Sequence, residues 1–206
     1  MDSGGGTSLA TIVELVNEIN RGVRKCTDKN NSGFGAVYDE IFLPYKDTAN
    51  KVLELGVNLG GSVWVWDKYF TKAEIHGVDI QKRYRSLGFD RFSFHACDLG
   101  NKDDLAKTSK AVGPCDIIID DASHSWSHQI AAFETFFPLV ERQGLYIVED
   151  VETSYNENRK EDVPCPTFVE YVKNLIDSVI WDLSGKNTYG IEYITFRHNM
   201  IIMRKK

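Results

Sequence analysis

Two short runs of aliphatic residues that each end in acidic residues constrain the fold of this chain more than any other feature. Ile117–Ile119 is followed directly by Asp120–Asp121, and Leu145–Val148 is followed by Glu149–Asp150. Runs of this kind are typical of buried strands in a parallel sheet. Ligands of such sheets bind just beyond the carboxyl ends of the strands, so we expect both acidic pairs to meet at one edge of the sheet.

The alternation of apolar runs and amphipathic segments extends along most of the chain. We predict strands over 51–55, 74–79, 92–97, 116–119 and 145–148, and helices over 9–25, 36–45, 62–69, 101–111, 123–140 and 165–180. This order predicts an α/β fold with a doubly wound, Rossmann-like and mostly parallel sheet. After a polar loop over 151–163, apolar residues 190–196 and 200–203 predict a C-terminal antiparallel hairpin.

The length and net charge of the chain limit the number of domains and the kinds of partner that we expect. The 206 residues suit one domain over 7–206, and the glycine-rich residues 1–6 predict a flexible lead-in, as a linker from a longer chain would be. The net charge of −6 argues against a nucleic-acid partner. Fusion to a glycosyltransferase domain and assembly into a homo-oligomer are both compatible with this sequence.

The spacing of the cysteines and the lengths of the apolar runs indicate the cellular compartment in which we expect the protein. The four cysteines, at 26, 97, 115 and 165, are widely spaced and form no CxxC pattern. Cys97 and Cys115 flank predicted strands, so we expect small core residues in a reducing compartment. No apolar run has the length of a membrane span, and the N-terminus lacks the apolar core of a signal peptide. We therefore expect a cytoplasmic protein with no membrane partner.

A glycine turn follows the first predicted strand. The turn comprises Gly56–Gly61, it is preceded by Glu54, and Ser62 opens the next helix. Glycines such as Gly56 and Gly60 let the backbone approach a ligand, although they also simply make tight turns. The dinucleotide fingerprint GxGxxG is absent, and a carboxylate at Glu54 would repel a pyrophosphate.

Two further carboxylates end the next strands and complete a candidate cofactor site. Asp79 is placed to accept hydrogen bonds from ribose hydroxyls, and Asp98 is placed to reach an adenine amino group. With Glu54 facing an ammonium group, this arrangement predicts a site for S-adenosylmethionine. Asp120 is expected either beside this cofactor or behind the carboxylates that could bind a metal ion at the same edge of the sheet.

The acidic pairs suit a divalent-metal site, because a hard cation such as Mg²⁺ prefers oxygen ligands. The imidazole of His124 suits a general base beside that site. Other interpretations remain open for each residue. Asp121 or Ser123 could cap the following helix, and His124 could be a surface or capping residue of its first turn. Glu149–Asp150 could begin a solvated loop.

These residues resemble the class I S-adenosylmethionine-dependent methyltransferases, and within them the metal-dependent sugar O-methyltransferases of macrolide and rhamnosyl tailoring. The similarity runs from Thr27–Lys29 to about Tyr155 and rests on Gly60–Ser62 with Trp66, Gly77–Ile80, Asp116–His124, His128–Gln129, Phe133–Glu134, Phe136–Pro138, Gly144 with Tyr146, Glu149–Asp150 and Thr153–Tyr155. It implies methyl transfer from S-adenosylmethionine to a glycan or glycoside acceptor, such as the 2-hydroxyl of a rhamnose-like deoxyhexose, with S-adenosylhomocysteine as product.

The resemblance also implies roles for single residues. Asp121, Glu149 and Asp150 would hold Mg²⁺, His124 would be the base, and Ile80 would lie in the cofactor site. We further expect acceptor contacts from His128, Tyr155 and Trp126. The sequence departs from the family pattern at Asn156 and around Gly33–Phe34, on the expected acceptor side, which leaves the acceptor's identity open.

Three other functions compete with sugar methylation. Methylation of a catechol-like diol would use the same metal chemistry. A nicotinamide-dependent oxidoreductase would share the doubly wound fold, but the missing GxG and Glu54 disfavour it. A non-catalytic cofactor-binding module would not require Asp121, His124, Glu149 and Asp150 together.

Overall fold

The described residues of a computed structural model, 10–22, 27–82, 88, 90–156, 158, 165–181 and 187–206, form a seven-stranded sheet with helices on both faces. The strands are β1 (Lys51–Leu55), β2 (Glu74–Asp79), β3 (Phe92–Ala96), β4 (Cys115–Asp120), β5 (Val140–Glu149), β6 (Ile191–Arg197) and β7 (Met200–Lys205). The α-helices are α1 (Ile12–Arg21), α2 (Phe34–Phe42), α3 (Gly61–Tyr69), α4 (Lys102–Val112), α5 (Trp126–Phe136) and α6 (Phe168–Ile180), and 3₁₀ helices span Leu43–Tyr45, Phe137–Leu139 and Val151–Tyr155.

The strand order is β3-β2-β1-β4-β5-β7-β6, with β1 to β5 parallel and β7 antiparallel to both β5 and β6. The predicted doubly wound sheet and C-terminal antiparallel hairpin are therefore confirmed. The order reverses between the neighbours β1 and β4, which is the switch point where open α/β sheets leave a crevice for ligands.

The aliphatic run of β4 is buried on both faces of the sheet. Ile118 belongs to a core cluster shared with α4, α5 and α6, whereas Ile117 and Ile119 belong to a second cluster shared with α1, α2 and α3. Successive strand side chains point to opposite faces, so a strand covered by helices on both sides must be apolar at every position. The first polar residues after such a strand are therefore those at its carboxyl end.

The region before α5 differs from the prediction. We expected a helix from 123 to 140, but α5 begins at Trp126 and gives way to a 3₁₀ helix at Phe137. His124 has a φ of 55°, in the left-handed region that a right-handed helix cannot accommodate. The expected first-turn position of His124 is therefore wrong, and the residue lies in the loop between β4 and α5.

Smaller differences concern the loop after β5 and the edges of the described residues. The predicted polar loop begins instead as a 3₁₀ helix over Val151–Tyr155. Cys97 and Cys115 are buried and free, as expected. The expected lead-in over 1–6 and Cys26 lie outside the described residues. Within the part of the chain that the structure describes, no helix is both long and hydrophobic enough to span a bilayer.

Candidate functional site

A cleft of about 860 Å³ opens at the carboxyl ends of the parallel strands, on both sides of the β1–β4 switch point. The predicted site residues on its wall are Gly56, Ser62, Asp79, Ile80, Asp98, Asp121, His124, His128 and Asp150. Those that the wall does not include are Glu54, Gly60, Asp120, Trp126, Glu149 and Tyr155. The cleft thus brings candidate cofactor residues and candidate metal ligands into one space.

Three side chains on this wall converge on one point. Suitable ligand atoms of Asp121, His124 and Asp150 all lie within 4.8 Å of one another. His124 Nε2 is 3.6 Å from Asp150 Oδ2 and 4.0 Å from Asp121 Oδ1. His124 and Asp150 both have left-handed backbones, with φ of 55° and 54°, so the loops after β4 and β5 turn sharply where these side chains are needed. This group combines two carboxylates and an imidazole, a donor set that divalent cations accept.

Beneath this group lies a buried lysine. Lys29 is 1% exposed, and its Nζ is 2.7 Å from Glu149 Oε1, 3.0 Å from Asp121 Oδ2 and 3.7 Å from Glu54 Oε1. The three carboxylates come from the ends of β5, β4 and β1. Their negative charges would repel one another in a buried setting, and the ammonium group offsets that repulsion.

Burial and charge shift the pKa values of this buried group. Burial lowers the pKa of Lys29, but Asp121, Glu149 and Glu54 outweigh it, so the net shift is upward and the lysine stays cationic. Burial raises the pKa of Glu54 to about 7, despite the opposing charge of Lys29. Burial, followed by the charge of Asp121, also raises the pKa of Glu149.

Glu149 lies deeper than the other expected metal ligands. Its Oε1 accepts hydrogen bonds from Lys29 Nζ and from the hydroxyl of Tyr38, and its side chain is 2% exposed. Asp121 and Asp150, at 24% and 29% exposed, face the cleft instead. The role of Glu149 as a ligand stays a prediction.

Glu54 also lies below the cleft wall. It is fully buried, and its Oε2 accepts a hydrogen bond of 2.7 Å from Ser62 Oγ. The ammonium group that it faces in this structure is that of Lys29. Its expected contact with the ammonium end of a cofactor stays a prediction.

The glycine turn is held in place by Asp79. The Oδ2 of Asp79 accepts hydrogen bonds from the backbone N–H groups of Val57 and Asn58, each at 3.0 Å. Gly56 has a φ of 94°, and a Cβ there would lie 2.1 Å from the carbonyl oxygen of Asp121, so no other residue fits. The glycine therefore serves the close approach of the β1 and β4 loops, whether or not a ligand is bound.

The remaining cofactor candidates lie around this turn. Gly60, with a φ of 79°, is the N-cap residue of α3. Asp98 lies just after β3, and its Oδ1 accepts a hydrogen bond from the N–H of Gly100. The side chain of Ile80 is 63% exposed on the cleft wall. Asp120 is buried under the wall, and burial raises its pKa to about 7.

The three expected acceptor residues occupy different environments. His128 lies on the cleft wall, and its Nδ1 is 2.9 Å from Ser123 Oγ. Trp126 is buried, and its indole N–H donates to the carbonyl of Thr153, which ties α5 to the 3₁₀ helix after β5. Tyr155 ends that helix and is 70% exposed. Of the three, His128 is the one that lines the cleft.

Sequence reasoning missed the structural roles of Lys29 and Tyr38. Nothing near Lys29 along the chain marks it as buried, so the sequence places it only within the Thr27–Lys29 motif. Tyr38 lies within a helix whose apolar face reads as ordinary core. No local pattern pairs either residue with Glu149, which is more than a hundred positions away.

Sequence comparisons identify relatives among methyltransferases, although no known family profile matches the chain. The chain is 36% identical over 155 residues to 8-demethyl-8-alpha-L-rhamnosyl tetracenomycin-C 2'-O-methyltransferase of Streptomyces olivaceus, covering 71% of this chain and 41% of that protein. It is 31% identical over 176 residues to L-olivosyl-oleandolide 3-O-methyltransferase of Streptomyces antibioticus, covering 78% of this chain and 45% of that protein. The chain therefore spans less than half the length of these two relatives.

Solved structures agree with the sequence comparison. MycE methyltransferase from the mycinamycin biosynthetic pathway, in complex with Mg, SAH and mycinamycin VI, superimposes with a TM-score of 0.80 at 25% identity, over 98% of this chain and 56% of that chain. A caffeoyl-CoA O-methyltransferase-like protein from Staphylococcus aureus superimposes with a TM-score of 0.57 at 15% identity, which shows a shared fold alone. The chain has the fold of the class I methyltransferases, and among them it is a homologue of the sugar O-methyltransferases.

Proposed function

We propose that this chain transfers a methyl group from S-adenosylmethionine to a hydroxyl of a sugar in a glycan or glycoside. The observation that carries the proposal is the single cleft that holds Asp79 and Asp98 on one side of the switch point and the Asp121–His124–Asp150 group on the other. Relatives that modify rhamnosyl and olivosyl groups support a deoxyhexose acceptor, and we take the 2-hydroxyl of a rhamnose-like sugar as the leading candidate.

The cleft fits S-adenosylmethionine. The glycine turn leaves backbone close to the cleft, and the carboxylates of Asp79 and Asp98, from two successive strands, line the same cleft. We assign the ribose hydroxyls to Asp79 and the adenine amino group to Asp98. Ile80, which is exposed, adds an apolar surface to the cleft wall. The cofactor supplies the methyl group of its sulfonium, and S-adenosylhomocysteine remains as the product.

The acidic group fits a divalent cation such as Mg²⁺. Asp121 and Asp150 present carboxylate oxygens to a common point, and Glu149 is proposed as a third oxygen ligand from below. Oxygen-rich sites of this kind suit Mg²⁺. When bound, the cation would act as a Lewis acid that makes a neighbouring sugar hydroxyl easier to deprotonate.

His124 is proposed as the general base. Its Nε2 faces Asp121 and Asp150, so it is directed toward the same point as the two carboxylates. As the acceptor oxygen forms its bond to the methyl carbon, the carbon–sulfur bond breaks and the electron pair returns to sulfur. The hydroxyl proton moves to the imidazole, which then releases it to solvent. The carboxylates stabilise the imidazolium that forms.

The test is methyl transfer from labelled S-adenosylmethionine to rhamnose-, fucose- and glucose-bearing acceptors, with EDTA or with added Mg²⁺. Transfer to a deoxyhexose that EDTA suppresses and Mg²⁺ restores is the expected result. Full activity in EDTA would contradict the metal's role, and transfer to a catechol alone would identify the competing diol activity. If NAD raised the thermal unfolding temperature of the protein and S-adenosylhomocysteine did not, the assignment of S-adenosylmethionine as the cofactor would be contradicted. Cytoplasmic location, fusion to a glycosyltransferase domain and homo-oligomer formation stay predictions.

A further inference from the structure

The turn between β6 and β7 reaches across to the candidate metal centre. Asn199, in this turn, donates a hydrogen bond of 2.9 Å from Nδ2 to Asp150 Oδ1. Its Oδ1 accepts a hydrogen bond of 2.8 Å from the backbone N–H of Glu152, and its carbonyl lies 3.5 Å from the backbone nitrogen of Val151. One residue thus contacts three consecutive residues after β5.

Antiparallel register accounts for this contact. Glu149 pairs with Met200 between the antiparallel strands β5 and β7. Asp150, which follows Glu149, therefore lies opposite Asn199, which precedes Met200. Asn199 also has a φ of 55°, a left-handed conformation that asparagine tolerates better than most residues. The side chain of Asn199 is therefore directed at Asp150 by the hairpin itself.

The two cleft-facing carboxylates are held in the same manner. Asp121 has Oδ2 bound by Lys29 at 3.0 Å, while its Oδ1 faces His124 Nε2. Asp150 has Oδ1 bound by Asn199, while its Oδ2 faces the same nitrogen. In each carboxylate the protein holds one oxygen and leaves the other directed at the common point. Free carboxylates rotate broadly about their last torsion, so a fixed hydrogen bond selects one orientation.

We propose that Asn199 is a positioning residue of the metal centre, which orients Asp150 for the cation. The inference rests on the proposed function, because it takes Asp150, together with Asp121, to be a ligand of the divalent cation. Partners behind metal ligands typically contribute 10–100-fold to metal affinity. The C-terminal hairpin, which contributes no residue to the cleft wall, would then set the affinity of the site.

The experiment measures Mn²⁺ binding by isothermal titration calorimetry on the full chain without acceptor. Asn199→Gly removes the amide while keeping the left-handed turn, and we expect a Kd about 10–100-fold weaker than that of the wild type. His198→Gly, in the same turn but exposed, is the matched control and should bind as the wild type does. S-adenosylhomocysteine binding should be unchanged in both variants, which verifies the fold.

The outcomes separate the two proposals. Equal Mn²⁺ affinity in Asn199→Gly and the wild type would overturn the role of Asn199 and leave the proposed function intact. An equal loss in His198→Gly would also overturn it, since the turn and not the amide would then matter. A wild type that binds no divalent cation would overturn the role of Asn199 and the proposed metal site together, whereas methyl transfer itself is tested separately with the labelled cofactor. If Asn199→Gly does not fold, Asn199→Ala provides the same comparison, because its methyl side chain has no hydrogen-bond donor for Asp150.

Discussion

The ammonium nitrogen of Lys29 lies 2.7 Å from Oε1 of Glu149, although 120 positions separate the two residues along the chain. Both side chains are almost fully buried. The same nitrogen contacts Asp121 and stands near Glu54. One cation therefore holds together the ends of three strands that meet below the cleft.

Removing this cation should destabilise the fold. Lys29→Met keeps the length of the side chain but leaves buried carboxylates unpaired, and breaking a buried pair in this way typically costs about 3–5 kcal/mol. We expect the free energy of unfolding, measured by urea denaturation, to fall by about that amount. Added Mg²⁺ should recover part of the loss if the carboxylates can bind it.

Lys173→Met is the matched control for that experiment. Lys173 forms an ion pair with Glu170 at the same 2.7 Å, but the two side chains are 48% and 57% exposed. An exposed pair contributes at most about 1 kcal/mol, because water screens it. An equal loss of stability in the two variants would contradict the structural role of Lys29.

Substitution of His124 should abolish turnover while preserving cofactor binding. His124→Asn removes the proposed base, and asparagine suits the left-handed φ of 55° at this position. Loss of a general base typically lowers kcat about 10²–10⁴-fold. Steady-state kinetics with Mg²⁺ present measures this, and the exposed His198→Asn serves as control. Loss of S-adenosylhomocysteine binding in His124→Asn would argue against a base role.

Asp79→Asn should weaken cofactor binding without changing metal binding. The amide cannot replace both the proposed ribose contact and the hydrogen bonds that Asp79 accepts from Val57 and Asn58. Loss of a hydrogen bond to a charged group costs about 1.5–3 kcal/mol, so the Kd for S-adenosylhomocysteine should rise about 10–100-fold. Mn²⁺ titration should give the wild-type affinity, and Asp103→Asn on the exposed face of α4 should leave both constants unchanged.

A histidine pair away from the cleft should make stability depend on pH. His76 Nδ1 and His95 Nε2 are 3.0 Å apart, which requires one ring to donate and the other to accept. Burial, followed by the charge of Lys51, lowers the pKa of both rings, and for His76 Glu74 opposes the shift. The unfolded chain therefore takes up protons near pH 6.5 that the folded pair resists, and the contribution of this pair to stability falls as the pH falls below that value.

Urea denaturation at about pH 7.5 and about pH 5.5, on either side of the histidine pKa, measures this effect. The double variant His76→Gln with His95→Gln should lose less stability than the wild type between these pH values. His198→Gln, at an exposed histidine, should behave as the wild type does. If the double variant kept the wild-type pH dependence of stability, groups other than this histidine pair would be responsible for it.

The sequence predicted the order and type of most elements. Ile117–Ile119 and Leu145–Val148 are apolar at every position because helices cover both faces of a parallel sheet. Burial on both faces is therefore visible in the sequence as a continuous apolar run. The acidic residues at the strand ends follow from the same rule. Their convergence at one edge of the sheet therefore follows from the sequence pattern.

The sequence did not predict the backbone around His124. The predicted helix begins three residues too early, because nothing in the polar residues 123–125 marks the turn that precedes α5. The left-handed conformation at 124 arises where the loop must pass Gly56, whose missing Cβ leaves room for the backbone of Asp121 and Ala122. That contact joins residues in the loops after β1 and β4, which are distant along the chain, and it leaves no periodic signal.

The sequence by itself determined the sheet, the cleft at its carboxyl edge and the residue types that meet there, because hydrophobic periodicity and strand-end chemistry are local properties. Only the tertiary structure decided which oxygen of each carboxylate faces the cleft. That choice depends on Lys29 and Asn199, which approach Asp121 and Asp150 from opposite parts of the chain. Hydrogen bonds between distant residues are set by packing, and packing is not encoded in the spacing of neighbouring residues.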